Sequence, residues 1–181
     1  FEDSEDKRDC ALRYLCGHPN DATLILSSSG KSYLFPWDEN LSKKYAHADY
    51  IFSYNEFGRN KTDAINHVIN LEKISENACI DFSPSTTYLD FQKIKSDLKN
   101  YSVFCRNNSV HDYLVDLRAV KDEYEINCTR QACKISNQIV EEIIHKLKSG
   151  FIKTELDVAL FIEKLLRENN CERTSFDTLA A

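Results

Sequence analysis

The chain has 181 residues, of which 42% are apolar and 29% are charged, a balance typical of globular domains rather than disordered segments. Its net charge of −6 at pH 7 argues against general binding to nucleic acids or anionic membranes, which requires a basic face. No apolar run approaches the roughly 18 residues that cross a bilayer, and no signal-peptide core is visible. We therefore expect a cytoplasmic protein with no nucleic-acid or membrane partner.

Seven cysteines occur at irregular spacing, which predicts free thiols rather than a disulfide framework. Cys10, Cys16 and His18 lie close together in sequence. No CxxC pair or second ligand pair accompanies them, so a metal site there is not favoured. The chain contains no Met and begins at Phe1, so we expect further residues in front of it.

A hairpin is predicted by "TLILSSSGKSYLF", with strands over residues 23–26 and 32–35 and a turn at Gly30. The run Gly30-Lys31-Ser32 does not make a phosphate-binding loop. Ile25 stands where that loop needs its first glycine, and a strand follows instead of a helix.

Strands and helices continue to alternate after the hairpin. The patterns predict strands over 49–54, 77–82 and 101–106, and helices over 40–48, 61–74, 83–100 and 109–120. This alternation predicts an α/β fold in which helices flank a mostly parallel or mixed sheet.

After Val120 the pattern changes to two amphipathic helices. The first has Asp122 and Glu125 at its start and Gly150 at its end, and at about 1.5 Å per residue it would be roughly 40 Å long. Its apolar stripe consists of Ile126, Ala132, Ile135, Ile139, Ile143 and Leu147. The second begins at Thr154, with Asp157 completing an approximate capping box.

The final residues, 174–181, alternate between small or polar and bulky apolar side chains, which predicts a strand. Two amphipathic helices and one strand do not make a core alone, so we expect a second sheet whose other strands follow Ala181. A competing interpretation is a complete α/β interaction domain in which residues 121–181 fold back on residues 1–120.

One stretch suggests a binding loop. In "RYLCGHPNDA", Gly17 and Pro19 fix a tight loop just before a strand. A plain connection is one interpretation, and the other is a rigid loop that presents His18, Asn20 and Asp21 to a ligand or partner. No HExxH or GxSxG motif is present, and no other residues assemble an active site.

Three stretches resemble the creatinase, prolidase and aminopeptidase P family. "RYLCGHPNDATLIL" resembles a loop and strand of the family's N-terminal domain, and "LVDLRAVKDEYEINCTRQACKIS" resembles its interdomain junction. "KSGFIKTELDVALFIEKLLRENNCERTSFDTLAA" resembles the start of its catalytic pita-bread domain. The matching positions are Arg118, Lys121, Glu125, Arg130, Ala132, Gly150, Thr154, Glu155, Ala159, Ser175, Phe176 and Asp177.

The resemblance implies a creatinase-like N-terminal α/β domain over residues 1–116. A linker helix and the start of a truncated pita-bread domain, with its first strand, would occupy residues 117–181. Phe1, Glu2 and Asp3 would end a strand that precedes the loop.

The intact protein would be a metallopeptidase resembling Xaa-Pro aminopeptidase or prolidase. Two divalent ions, Mn, Co or Zn, would activate water for attack on short peptides. The family's ligands are Asp, Asp, His, Glu and Glu, and all of them follow the "SFD" strand. The chain alone is therefore expected to bind no metal and to be inactive.

The role implied for this chain is homodimerisation and restriction of access to the active site. By position, His18, Asn20 and Asp21 would lie on the substrate side of the partner subunit's active site, although His18 replaces a hydrophobic or aromatic residue of the family. Some relatives keep the fold without metals, so the alternative is a non-enzymatic pita-bread protein that acts as a protein-binding module.

Overall fold

The computed structural model describes residues 1–3, 9–176, 178 and 179. The chain divides into two compact units, Phe1–Ala119 and Val120–Ala181, hereafter the first unit and the second unit. The division between residues 116 and 117 that the sequence suggested stays a prediction. In the described ranges, no helix is both long enough and apolar enough to cross a membrane.

The first unit alternates strands with helices. Its strands are β1 (Glu2–Asp3), β2 (Ala22–Leu26), β3 (Ser32–Pro36), β4 (Tyr50–Ile51), β5 (Cys79–Asp81) and β6 (Ser102–Phe104). Its helices are α1 (Cys10–Cys16), α2 (Glu39–Tyr45), α3 (Lys61–Glu72), α4 (Tyr88–Asp97) and α5 (Val110–Ala119), with a 3-10 turn at Tyr54–Phe57.

The strands form two sheets. The four-stranded sheet has the order β1-β2-β3-β4, with antiparallel β1/β2 and β2/β3 pairs and a parallel β3/β4 pair. The other sheet is the parallel pair β5-β6. The predicted α/β class with a mixed sheet and flanking helices is confirmed, and so is the hairpin, in which Leu24 faces Leu34.

Strand β3 is buried on both faces, and this burial organises the core. Leu34 packs on one face with Leu12 of α1 and Leu24 of β2. Tyr33 and Phe35 point to the opposite face, as successive strand residues do, and pack with α3. A third cluster joins α3 to α4 and β6 through Ile65, Ile69, Ile94, Leu98 and Val103.

Two features of the first unit differ from the sequence predictions. Helix α1 was not predicted, although Asp9 caps it and Ala11, Leu12 and Cys16 form its buried side. The predicted strand over 49–54 is shorter, because the chain enters the 3-10 turn at Tyr54. As expected, none of the cysteines in the described residues forms a disulfide.

The second unit is a helical hairpin of α6 (Glu123–Lys148) and α7 (Glu155–Glu168). Both predicted starts are confirmed, since Asp122 with Glu125 and Thr154 with Asp157 form capping boxes. Gly150 has φ 72° just beyond α6, the left-handed conformation expected of a glycine that ends a helix. Ile139 of α6 and Leu165 of α7 are buried.

The strand predicted over residues 174–181 is not formed in the part of that stretch that the structure describes. Residues 174–176, 178 and 179 have no strand conformation, and residues 177, 180 and 181 lie outside the described set. Phe176 and Leu179 are exposed. A strand is held by hydrogen bonds to a neighbouring strand, and none of the described strands pairs with this stretch.

Candidate functional site

The loop of residues 17–21, which the sequence singled out, joins α1 to β2. Gly17 ends α1 with φ 73°, and its N–H donates to the carbonyl of Arg13 at 2.8 Å. A Cβ atom at Gly17 would lie 2.7 Å from the carbonyl oxygen of Tyr45. Glycine is therefore required for two reasons, the left-handed backbone and the close approach of the C-terminal end of α2.

His18 lies in the interior of the first unit. Its side chain is 0% exposed, and neither ring nitrogen makes a hydrogen bond of normal geometry to the described residues. Burial lowers the pKa of His18, while the Asp38 carboxylate and the backbone and carboxylate of Asp21 oppose that shift. Burial therefore favours the neutral ring. The ring packs inside the first unit and does not face solvent.

Asn20 and Asp21 are half-buried, and Asp21 extends the β2–β3 hairpin. Ala22 is paired with Pro36 in the register of that hairpin. Asp21 and Trp37 continue the pairing, since the N–H of Trp37 donates to the carbonyl of Asp21 at 3.1 Å. The Asp21 Oδ1 atom is buried without a hydrogen-bond partner in the described residues. The loop is thus tied to the residues that follow β3.

The residues after β3 lead directly into α2. Asp38 caps this helix, because its carboxylate accepts hydrogen bonds from the N–H groups of Asn40 at 2.8 Å and Leu41 at 3.1 Å. Beyond the other end of α2, the N–H of His47 donates to the carbonyl of Cys16 at 2.7 Å. Both ends of α2 therefore contact the loop and the residue before it.

Trp37 supplies an aromatic surface beside the loop that the sequence predictions did not include. Its indole is 47% exposed, and the guanidinium carbon of Arg59 lies 4.3 Å from its ring centroid. Arg59 has φ 57°, unusual for a residue other than glycine, and its Nε donates to Asn55 Oδ1 at 2.8 Å. Trp37 could have been noticed as the only tryptophan in the sequence. Nothing in the sequence near it indicates Arg59, which only the fold brings to the indole.

A second polar cluster, also missed by the sequence predictions, lies at the carboxyl ends of β5 and β6. Ser83 Oγ is 3.3 Å from His111 Nδ1 and 2.8 Å from Ser85 Oγ. The carboxylate of Asp81 accepts from the N–H of Val110, the first residue of α5. These bonds fix the start of α5 on the strands, and the serine already has partners for its hydroxyl group.

The loop surface offers contacts to a ligand but no complete catalytic centre. It combines the half-buried Asp21 with the exposed Asp38 and the exposed Trp37–Arg59 pair. The imidazole of His18 is buried and is not part of this surface. Among the residues that the structure describes, no three His, Cys, Asp or Glu side chains are grouped to hold a metal ion. Two shallow depressions elsewhere lie on the second unit and are lined mainly by α6 residues, among them Cys133, Asn137 and Glu141.

Comparison with known proteins connects this chain to prolidases. An Xaa-Pro dipeptidase of Pyrococcus furiosus is 28% identical over 121 residues, which are 67% of this chain and 32% of that protein. An Xaa-Pro dipeptidase of Pyrococcus horikoshii is 31% identical over 94 residues, which are 52% of this chain and 24% of that protein. The chain thus spans a third or less of the length of either relative, and no family model matches it.

A solved structure gives the same connection at the level of the fold. The crystal structure of the prolidase from Pyrococcus horikoshii OT3 superposes with a TM-score of 0.68 at 20% sequence identity. The superposition covers 93% of this chain and 45% of the prolidase chain. The chain is therefore similar to prolidases in sequence over part of its length and in fold over nearly all of it.

Proposed function

We propose that this chain is part of a prolidase-like peptidase that hydrolyses short Xaa-Pro peptides. The observation that carries the proposal is the agreement between sequence and fold, since both sequence relatives are named Xaa-Pro dipeptidase and the structural neighbour is a prolidase. The resemblance of the junction around Arg118, Lys121 and Glu125 supports the same family. The activity would be cytoplasmic.

The chemistry of such an enzyme would depend on residues outside this chain. The family resemblance implies two divalent ions, Mn, Co or Zn, which supply an activated water for attack on the peptide bond. We place the ligands in the remainder of the intact protein, a placement supported by the short span of this chain relative to its relatives. The chain alone would then bind neither ion and would be inactive.

The contribution of the first unit would be to shape access to the active site. In the proposed homodimer, the loop of residues 17–21 would border the partner subunit's active site, and Asn20 and Asp21 would face a short peptide substrate. His18 would contribute by holding the loop in place, since its ring is buried. The linker helix and the pita-bread domain would follow from residue 117 onward.

The proposal is tested by comparing the intact protein with this chain under the same conditions. Each is purified, supplied with Mn²⁺ or Co²⁺, and incubated with Gly-Pro while free proline is measured. We expect the intact protein to release proline in a metal-dependent manner and the chain to release none. Proline release by the chain itself would contradict the placement of the catalytic residues.

The alternative is a non-enzymatic pita-bread protein that binds another protein. The exposed Trp37–Arg59 pair favours this alternative, because aromatic and arginine side chains are enriched in protein interfaces. The two functions differ in metal content. A purified intact protein that binds no divalent ion and hydrolyses no dipeptide would support the binding module.

A further inference from the structure

Arg59 is exposed, yet its guanidinium is fixed by its neighbours. The guanidinium carbon lies 4.3 Å from the centroid of the Trp37 ring, and Nε donates to Asn55 Oδ1 at 2.8 Å. The backbone of Arg59 is left-handed, with φ 57°, a conformation that is uncommon for residues other than glycine and that recurs at binding sites. An arginine that is ordered in advance loses less side-chain entropy when it binds a ligand.

The indole beside Arg59 is itself anchored in the core. The Trp37 ring centroid lies 6.5 Å from that of Tyr54, which is only 3% exposed. The Tyr54 ring in turn contacts Phe35 of β3 edge to face. Trp37 nevertheless keeps 47% of its surface exposed. The indole is therefore a fixed apolar surface that remains open next to the guanidinium.

The outer edge of the guanidinium has no partner among the residues that the structure describes. An arginine carries five N–H donors, and Asn55 takes the one on Nε. Within the described part of the chain, Nη1 and Nη2 donate no hydrogen bond and Arg59 forms no ion pair. The nearby Lys61 is already paired with Glu2 at 2.7 Å and with Asp90 at 3.5 Å. The site thus offers one positive charge and a planar pair of donor groups.

We propose that Arg59 and Trp37 form a binding site for a peptide carboxylate that is next to an apolar side chain. The carboxylate accepts two parallel hydrogen bonds from Nη1 and Nη2, and the apolar side chain lies on the exposed indole. The carboxylate belongs to a C-terminus or to an aspartate or glutamate side chain. The proposal is independent of peptidase activity, because this site needs no metal ion.

Geometry and charge favour a carboxylate over other anions. The two Nη groups match the two oxygens of a carboxylate, and a hydrogen bond between charged groups is stronger than one between neutral groups. A phosphate monoester carries a charge of about −1.5 to −2 and is typically bound by a cluster of arginines. Here a single arginine lies in sequence between the exposed acids Glu56 and Asp63. The exposed indole adds apolar contact, which an inorganic anion does not use.

The test is an NMR titration of this chain with small peptide probes. Trp37 is the only tryptophan, so its indole N–H gives a single resonance, and the Nε–H of Arg59 reports on the guanidinium. One probe is N-acetyl-leucine, which has a terminal carboxylate. The other is N-acetyl-glutamyl-leucinamide, which has only a side-chain carboxylate. We expect a carboxylate probe to shift both resonances, and the tighter probe identifies the source of the carboxylate. The uncharged N-acetyl-leucinamide should shift neither.

Matched variants separate binding from a purely structural contact of Arg59 with the indole. Arg59→Lys keeps the charge but loses the planar donor pair, so the dissociation constant should rise about fivefold. Asn55→Ala should weaken binding less, because it only frees Nε. Arg106 provides the control, since it lies 4.6 Å from the Phe104 ring centroid with no hydrogen bond from Nε in the described residues. Arg106→Lys should leave binding unchanged. All three substituted side chains are exposed, so each variant should fold.

Four outcomes would overturn the proposal. In the first, neither carboxylate probe shifts the two resonances. In the second, N-acetyl-leucinamide shifts them as strongly as the carboxylate probes, which would show that the charge is not recognised. In the third, Arg59→Lys binds as tightly as Arg106→Lys. In the fourth, inorganic phosphate binds more tightly than both carboxylate probes, which would show a general anion site.

Discussion

The two units bury apolar side chains to very different extents. The first unit packs three clusters around β3 and α3, and β3 is buried on both faces. In the second unit, Ile139, Ile152 and Leu165 are buried, while many apolar side chains remain exposed, among them Val140, Leu147, Phe151, Leu156 and Leu160. A helix needs a neighbouring surface to cover its apolar stripe, and the first unit provides its own sheets for this purpose.

This contrast shows which interactions hold each unit. The first unit depends on contacts between residues far apart in sequence, such as the ring of Phe35 with the ring of Phe57. The second unit depends mainly on signals within a few residues, such as the capping boxes at Asp122 and Thr154. Substitutions of the same chemical kind should therefore have different effects in the two units.

The largest difference is expected for Phe35→Ala and Phe151→Ala. Phe35 is fully buried among Tyr54, Phe52 and Phe57, so its truncation should destabilise the first unit by about 3–5 kcal/mol. Phe151 is exposed, so Phe151→Ala should lower the free energy of unfolding by less than about 0.5 kcal/mol. Urea unfolding followed by circular dichroism reports on both units, and equal effects of the two substitutions would contradict the contrast.

The next largest difference is expected between two glycines with nearly the same backbone conformation. Gly17→Ala places a Cβ 2.7 Å from the Tyr45 carbonyl, whereas Gly150→Ala meets nothing within 4 Å. Left-handed strain alone costs about 1–2 kcal/mol, and the clash should add about 1–3 kcal/mol at Gly17. Thermal unfolding of both variants checks this, and a Gly17→Ala variant as stable as Gly150→Ala would refute the close approach.

A smaller effect, and one nearly equal in the two units, is expected from removing helix caps. Asn60→Ala in the first unit and Thr154→Ala in the second should each cost about 1 kcal/mol, because a cap acts on its own first turn. Circular dichroism during urea unfolding gives both values. If one substitution destabilised its unit several times more than the other, the two caps would not act only on their own first turns.

The smallest effect concerns the ionisation of Tyr33. Burial is the main cause that raises the pKa of Tyr33 from 10.0 to about 12, and the hydrogen bond to Glu72 adds to it. Glu72→Gln should lower that pKa but leave it above 10, and the exposed Glu76→Gln should not change it. Absorbance at 295 nm follows the titration.

The direction of the stability change at high pH follows from the same shift. Tyr33 stays neutral longer in the folded chain than in the unfolded chain, so its contribution is complete below pH 10 and is lost as the pH rises toward 12. A Tyr33 residue that ionises near 10 in the folded chain would show that Glu72 and burial do not hold it.

Local patterns in the sequence were sufficient to predict most elements. Apolar periodicity located α3, α4 and α6, and side-chain chemistry identified the caps at Asp122 and Thr154. Helix α1 was missed because its seven residues are too short for a clear period, although the Asp9 cap and the terminal Gly17 mark it. The strand over 174–181 was predicted from alternation and from the family resemblance, and neither of these supplies a pairing neighbour among the described strands.

The candidate site was harder to predict, because its arrangement depends on contacts between distant residues. Gly17 and Pro19 marked the loop, but nothing local showed that the ring of His18 would be fully buried. Arg59 reaches Trp37 through a left-handed backbone that its sequence does not signal. The roles of His18, Asn20 and Asp21 beside a partner's active site stay predictions.

The most direct test of the proposed function is the substrate preference of the intact protein. With Mn²⁺ or Co²⁺ present, hydrolysis of Ala-Pro and of Ala-Ala is compared at equal concentrations. We predict that Ala-Pro is cleaved and that kcat/KM for Ala-Ala is at least tenfold lower. Cleavage of neither peptide, or a preference for Ala-Ala, would contradict the assignment of a prolidase-like activity.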